Sequence, residues 1–226
     1  MDEQPVISVL VPALNEESRI YQTVTSILQD NRIHEVIVID DGSMDNTSAE
    51  AERAGAKVVR TPKNLGKGGA LNLGLQNIQG DIILMLDADL GASAKEGCKL
   101  LDPILQNKAD LTIGRFPPAK KKGGFGFVIG LARKGVRAMT GLDLQAPLSG
   151  QRAMRRAVMD ALGRFESGFG VEVGMIIDLA RKGYIIREVP VQMTHAETGR
   201  DIAGFLHRGR QFIDVLRVLL KHSLPR

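Results

Sequence analysis

Two carboxylates stand two residues apart in Asp87-Ala88-Asp89, directly after the apolar run Ile82–Leu86. Paired carboxylates past a strand end can hold a hard divalent cation through oxygen ligands. Such a cation bridges diphosphate oxygens and neutralises a departing nucleoside diphosphate. The spacing alone is weak, because a chain with 15 Asp produces about one Asp-x-Asp by chance. Its position strengthens it, since two unpaired carboxylates buried behind an apolar strand would be costly.

Other segments offer polar groups of the same kind. Asp40-Asp41-Gly42-Ser43 closes a second apolar run. It reads equally as a turn with Asp45 or Thr47 capping the next helix, and as a carboxylate accepting from a nucleobase or ribose. Asn64-Leu-Gly-Lys67-Gly-Gly-Ala70 opens a helix and could turn its amides and Lys67 toward phosphates. A plain glycine turn fits that segment as well. Arg152, in Ser149-Gly-Gln-Arg152, could hold a phosphate bidentately, whereas Arg155 and Arg156 read as solvated helix surface. His195-Ala-Glu-Thr-Gly-Arg-Asp201 gathers an imidazole, two carboxylates and a guanidinium, suiting either a structural histidine or a metal or phosphate role. Cys98, on the apolar side of its helix, reads as core.

The elements that position these groups alternate. Strands are expected at Val6–Val11, Val36–Ile39, Ala56–Val59, Ile82–Leu86 and Leu111–Ile113. Between them, apolar residues at helical spacing mark Glu16–Leu28, Thr47–Ala54, a face through Leu71, Gly74, Leu75 and Ile78, and a helix through Leu100–Leu105 opened by a Ser93…Glu96 capping box. Strands apolar on both faces, separated by amphipathic helices, predict an α/β fold with a mostly parallel sheet flanked by helices. Asn15-Glu16, Asp40-Asp41 and Asp87/Asp89 then fall at the carboxyl ends of strands, where such sheets bind ligands.

The second half is less regular. The basic run Arg115–Gly124 reads as a mobile loop that could close over a ligand, and a helix is expected over Phe125–Met139. Pro147–Arg152 reads as a turn into a short strand, Val171–Arg181 as a helix, and Tyr184–Met193 as a strand whose Pro190 needs a sheet edge. Ile202–Leu220 reads as an amphipathic helix with Ile202, Phe205, Leu206, Ile213, Leu216 and Leu220 on one stripe. That stripe could pack on the domain or on a sister subunit. Arg208, Arg210, Arg217 and Lys221 beside it also suit an anionic membrane surface.

Composition narrows the class. Among 226 residues, 43% are hydrophobic and 25% charged, enough for a buried core. One cysteine excludes a disulfide framework. No run of 18 apolar residues predicts a membrane span, and the acidic start lacks the basic n-region of a secretory signal, so a cytoplasmic protein is expected. Residues 1–114 carry 10 Lys/Arg against 17 Asp/Glu, a balance of −7, and residues 115–226 carry 20 against 9, a balance of +11. Carboxylates for a metal in the first half and cations for phosphates or an anionic surface in the second fit that division. Two Tyr, no Trp and no nucleic-acid motif argue against a nucleic-acid partner.

Together, Val9-Leu-Val-Pro-Ala-Leu-Asn-Glu16, Val38-Ile-Asp-Asp-Gly-Ser43, Asn64-Leu-Gly-Lys67-Gly and Asp87-Ala-Asp89 resemble, in order and spacing, the family 2-like glycosyltransferases with the GT-A fold. Ser149–Arg152 and Gly183–Pro190 extend the resemblance toward the dolichol-phosphate mannosyltransferase and polyprenyl-phosphate glycosyltransferase branch. The resemblance implies a GT-A-like domain over 1–200, with a nucleotide-sugar half (1–114) and an acceptor half (115–200), followed by an amphipathic helical extension over 201–226. It implies a UDP- or GDP-sugar donor, with Pro12, Ala13, Asn15 and Glu16 lining the nucleoside pocket and Asp40 and Asp41 at base and ribose. Lys67 would lie near base or diphosphate, and Asp87, with Ala88, near donor sugar or ribose. Asp89 would hold Mg²⁺ or Mn²⁺, helped by Asp87 and His195, while Arg152 and Glu172 would face the acceptor. Gly91 stands where the polyprenyl-phosphate branch often supplies a third ligand, and that branch's Arg-x-x-Gly-x-Ser-Lys signature is absent. Those departures bring in a small phosphorylated or carboxylated acceptor, as in glucosyl-phosphoglycerate synthases. A sugar-nucleotide-binding module without transfer chemistry is the non-enzyme alternative. A dinucleotide dehydrogenase lacks its glycine fingerprint after the first strand.

Overall fold

The computed structural model describes residues 4–117, 126–163, 170–194 and 202–223, without the side chains of 202–211. The first half alternates as expected: β1 (Ile7–Ala13), α1 (Ile20–Ile27), β2 (Glu35–Asp40), α2 (Thr47–Arg53), β3 (Lys57–Arg60), α3 (Gly66–Leu75) and β4 (Ile82–Met85). A 3-10 stretch (Ala88–Leu100) leads into α4 (Leu101–Leu105) and β5 (Leu111–Arg115). Then follow α5 (Gly126–Thr140), β6 (Arg152–Arg155), α6 (Arg156–Leu162), α7 (Val171–Arg181), β7 (Ile186–Pro190) and α8 (Ile202–Ser223).

The strands form one seven-stranded sheet in the order β3-β2-β1-β4-β6-β5-β7. All pairings are parallel except those of β6, which runs antiparallel to β4 and β5. The alternation of side chains across the pleat divides the core in two. Val9, Val11, Val36, Val38, Ile82 and Leu84 face one cluster, covered by α1, the 3-10 stretch and α4. Leu10, Ile37, Ile39, Ile83 and Met85 face the other, covered by α3, α5, α7 and α8. Strands wanted by both clusters must be apolar throughout, which is why they carry no polar period. Pro190 ends β7 at the sheet edge, where its missing N–H costs no ladder bond.

Several expectations are corrected. Ser93 and Glu96 form no capping box. Ser93 Oγ donates to the Leu90 carbonyl and accepts from Thr194 N–H, while Glu96 accepts from Lys99 Nζ and Gln192 N–H. The pair therefore pins the segment after β7 onto the 3-10 stretch. Arg155 and Arg156 are not idle surface: Arg155 donates to the Ile104 carbonyl and to Asn107, and Arg156 to the carbonyls of Gly80 and Ile78. They bond carbonyls near the end of α4 and before β4, Ile104 sharing its oxygen with the Asn107 N–H. The strand expected over Tyr184–Met193 contracts to β7, and the helix opened by the glycine-rich segment begins earlier, at Gly66.

The stripe on α8 is also different. Val215, Val218, Leu219 and His222 are buried, whereas Ile213, Leu216 and Leu220 are exposed, with Phe212 beside them. Both sides of the helix are apolar, so periodicity alone could not say which one packs. Among the described residues, no helix is long and apolar enough to cross a membrane. Of the basic run 115–124, only Arg115, Phe116 and Pro117 lie among the described residues.

Candidate functional site

The carboxyl ends of β1, β2 and β4 share one rim, and side chains stitch the first two together. Asn15 takes a left-handed backbone (φ 56°), which Asn tolerates better than most side chains. Its N–H donates to Ser43 Oγ and its Oδ1 accepts from Met44 N–H. Glu16 N–H donates to Thr47 Oγ1, Glu17 N–H to Asp45, and Asn46 N–H to Glu17. Ala13 is buried beneath this seam.

Asp40 and Asp41 turn away from each other. Asp40 is 0% exposed and accepts from Ser43 N–H and the Ser48 hydroxyl. Burial works to raise its carboxyl, but the bonds from Ser43 and Ser48, with the charge of Arg60, outweigh it and hold the group below the usual carboxylate range. Asp41, also buried, accepts from Leu65 N–H and Thr61 Oγ1 and so fixes the entry to α3. The turn reading accounts for the Ser43 bond of Asp40, while Arg60, 3.8 Å from Asp40, and the Thr61–Leu65 segment bound to Asp41 come from the end of β3 and the loop after it.

After β4 the partners change. Asp87 Oδ1 lies 2.9 Å from Lys67 Nζ, and Oδ2 accepts from Gln151 Nε2 at 2.5 Å. Lys67 Nζ also lies 3.7 Å from Glu172, in the first turn of α7. Burial opposes the Lys67 charge, but Asp87 and Glu172 outweigh it and hold the ammonium above its usual range, although 40% of the side chain remains exposed. Gly150 sits against this pair: a Cβ there would lie 2.3 Å from Lys67 Nζ and 3.1 Å from Asp87 Oδ1. Pro12, Lys67, Asp87, Gly150, Arg152 and Glu172 border one narrow cavity, floored by Leu71, Met85 and Met175.

Arg152 enters that cavity wall differently from expectation. It is 1% exposed, and its guanidinium donates to the carbonyls of Ser149, Pro147 and Glu172 and to Met175 Sδ. Burial pulls it down to about 10, opposed by Glu172. In this structure it braces the 147–152 turn against α7 rather than offering a fork to a phosphate.

Asp89 stands two residues on, half-buried, its carbonyl accepting from Arg19. Glu16 reports the local field. Its carboxyl is raised first by burial, then by Asp89, with Asp45 and Asp87 adding to the effect and Arg19 opposing it. Carboxylate charge thus accumulates where β1 and β4 end, and oxygen donors in that density suit a hard divalent cation. Among the described residues no three His, Cys, Asp or Glu side chains group as metal ligands. His195, expected as a further ligand, lies outside the described residues.

Sequence reasoning missed two positioning groups. Thr23, on α1, donates its hydroxyl to the Ala88 carbonyl and accepts from Gly91 N–H, fixing the loop that carries Asp87 and Asp89. Gly91 itself has φ +53°, and a Cβ there would meet Gln22 at 3.2 Å, which explains glycine at this position on backbone grounds. Gln151 is 0% exposed and grips Asp87 twice. For Thr23 the available signal was a polar residue on the apolar face of Ile20, Val24 and Ile27, whereas Gln151, between Gly150 and Arg152, offered none.

Comparison with known proteins decides the family. Residues 8–163 match the family described as Glycosyl transferase family 2. This chain belongs to glycosyl transferase family 2. Its relatives include glycosyltransferase AglJ of Haloferax volcanii, 31% identical over 209 residues, which span 89% of this chain and 67% of AglJ. Glucosyl-3-phosphoglycerate synthase of Mycobacterium tuberculosis is 34% identical over 201 residues, 76% of this chain and 60% of the synthase. The match thus spans three fifths of that synthase's length. A crystal structure of the synthase, in complex with Mn²⁺, UDP and glucosyl-3-phosphoglycerate, matches with a TM-score of 0.81 at 32% identity, covering 98% of this chain and 81% of that one. The GT-A-like α/β fold expected from sequence is therefore the fold of this family 2 member. The names of these relatives do not single out the polyprenyl-phosphate branch.

Proposed function

We propose that this family 2 member transfers a sugar from a nucleoside-diphosphate sugar to an acceptor oxygen. The observation that carries the reading is the convergence of Asp87, Lys67, Glu172 and Arg152 on one cavity at the end of β4, with Asp89 and Glu16 on the adjoining rim. The acceptor oxygen attacks the anomeric carbon, the bond from that carbon to the diphosphate oxygen breaks, and the nucleoside diphosphate leaves. Asp89, helped by Asp87 and His195, is the candidate holder of Mg²⁺ or Mn²⁺, which when bound neutralises charge on the leaving diphosphate. Pro12, Ala13, Asn15 and Glu16 frame the nucleoside side, where Asp40 and Asp41 shape the pocket by fixing its loops. Lys67 and Asp87, with Ala88 behind them, meet the donor, and Arg152 holds the turn that faces Glu172. An ionised phosphate acceptor needs no base, whereas a hydroxyl acceptor gives its proton to a carboxylate, for which Glu172 is the candidate.

For the acceptor, a small phosphorylated acid such as 3-phosphoglycerate is the first reading, supported by likeness to the synthase crystallised with glucosyl-3-phosphoglycerate. A polyprenyl phosphate at the inner face of an anionic membrane is the second. The outward row Phe212, Ile213, Leu216 and Leu220, beside exposed Arg217 and Lys221, favours it. The same row would also suit a second copy of the chain. A thermal-shift panel of UDP- and GDP-sugars with and without Mn²⁺ tests the donor reading. A metal-dependent shift for at least one donor is expected, absent in Asp89→Ala, and no shift for any donor overturns the reading. Transfer from the responding donor to 3-phosphoglycerate, compared with polyprenyl phosphate in anionic vesicles, separates the acceptors. Flotation with those vesicles and size-exclusion chromatography separate membrane contact from self-association.

A further inference from the structure

We infer that Gln151 is a positioning residue that aims the Asp87 carboxylate at the sugar of the donor, an inference that rests on the donor reading above. Its side chain is fully buried, and its amide faces a single residue with both ends. Oε1 accepts the Asp87 backbone N–H at 2.9 Å, while Nε2 donates to Asp87 Oδ2 at 2.5 Å. The partners fix the amide's orientation, because a backbone N–H needs an acceptor and a carboxylate needs a donor. The two bonds lock the Asp87 side chain to its own backbone, so the carboxylate cannot rotate about its stem while both are made.

That lock has a consequence at the other oxygen. With Oδ2 held by Gln151, Oδ1 is directed to Lys67 Nζ, in the space left by the missing side chain of Gly150. The held carboxylate borders the cavity that is also lined by Glu172 and Arg152. A sugar ring reaching that cavity meets a carboxylate of fixed direction rather than one free to follow the Lys67 ammonium. Only a side chain with an acceptor and a donor side by side makes both bonds. Glu lacks the donor, Met lacks both groups, and Asn is one methylene shorter.

The test compares wild type with Gln151→Met, which keeps the volume but removes the amide. Binding of UDP, GDP, UDP-glucose and GDP-mannose, each with Mn²⁺, is measured by titration calorimetry. Gln151→Met is expected to weaken the sugar nucleotide about tenfold more than the nucleoside diphosphate, the range for losing a bond to a charged group. If Gln151→Met fails to fold, Gln151→Asn, able to keep one bond at most, is expected to show the same selective loss to a smaller degree. Equal losses for nucleotide and sugar nucleotide, or no loss for either, overturn the inference and leave the donor reading standing. Absence of Mn²⁺-dependent binding of all four compounds to wild type overturns the donor reading itself, and this inference with it.

Discussion

Two acidic pairs follow apolar strands in this protein, and they are put to different uses. At the end of β2, Asp40 and Asp41 are buried and accept from backbone N–H groups and the hydroxyls of Ser48 and Thr61, with the exposed Arg60 guanidinium 3.8 Å from Asp40. At the end of β4, Asp87 is met by an ammonium whose side chain is 40% exposed, and Asp89 lies near the rim that raises the Glu16 carboxyl. Both pairs lie at or just past the carboxyl ends of the two strands that flank β1. What differs is the setting: Asp40 and Asp41 are sealed among groups of the fold, with Arg60 outside them, whereas Asp87 borders a cavity that it shares with Lys67, Arg152 and Glu172. A carboxylate buried among donors of the fold is spent on architecture, whereas one that shares a cavity with other charges can exchange a partner when a ligand arrives, here the ammonium on Asp87 Oδ1.

The sharpest way to break this contrast is to remove the β4 side of it. Asp89→Ala is expected to cut transfer about a thousandfold, because a lost cation site forfeits several kcal/mol of charge stabilisation. Its unfolding free energy should change by about 0.5 kcal/mol or less, as for a partly exposed residue outside the core. Initial rates and urea unfolding measure the two, and a variant that loses stability instead of rate would reverse the assignment. Gly150→Ala comes next. Its Cβ would sit 2.3 Å from Lys67 Nζ and 3.1 Å from Asp87 Oδ1, so the ammonium must shift from its present place beside Asp87. A displacement of about 1 Å at a reacting centre can cost about a hundredfold. Wild-type rates in Gly150→Ala would mean that the Lys67–Asp87 pairing is not used in turnover.

Much of this was legible in the chain before the structure. Strand and helix order from β1 to β5 followed from runs such as Val36–Ile39, because a strand covered on both faces must be apolar at every position. The position of Asp87 and Asp89 followed from the strand that ends beside them. What escaped was anything set by contacts between distant segments. Gln151 and Asp87 are 64 residues apart, and Thr23 and Ala88 are 65 apart, so no local spacing announces either bond. The same reason undid the Ser93…Glu96 capping box, whose side chains were claimed by Gln192 and Thr194 a hundred residues on. On α8, Val215 and Leu216 are neighbours with similar side chains, and only packing against α5 and α7 buries the first and exposes the second.

The β2 corner yields an effect of the opposite kind. Asp40→Asn is expected to destabilise by about 1–2 kcal/mol at pH 7, the difference between charge-assisted and neutral hydrogen bonds at a buried site. Transfer rates should stay within about threefold of wild type, since the side chain serves the fold. The sign with pH follows from the direction of the shift. The carboxyl is held below its ordinary value in the folded chain, so its contribution is present above the unfolded value of about 4. It fades as pH falls through the lower, folded value. The stability gap between wild type and Asp40→Asn should therefore be full at neutral pH and shrink below about pH 4. A gap that widens on acidification would mean that Asp40 is protonated in the fold, and would remove the contrast with Asp87.

The smallest effect tests the boundary between the corners, at Asn15. Its left-handed backbone and its bond from Met44 belong to the seam joining the β1 and β2 loops, yet the residue is exposed where a nucleoside would lie. Asn15→Gly keeps the backbone shape and removes only the side-chain bond, for an expected cost of about 1 kcal/mol or less. Asn15→Ala adds the strain of a Cβ in the left-handed region, and should cost about 1 kcal/mol more. If Asn15 is purely a stitch, both variants lose stability in that order while donor affinity at saturating Mn²⁺ stays within about threefold. If Asn15→Gly instead weakens donor binding about tenfold with its unfolding curve unchanged, the side chain touches the nucleoside directly. The border between architecture and ligand contact would then run through the β1 loop itself, and the contrast would be one between side chains rather than between strand ends.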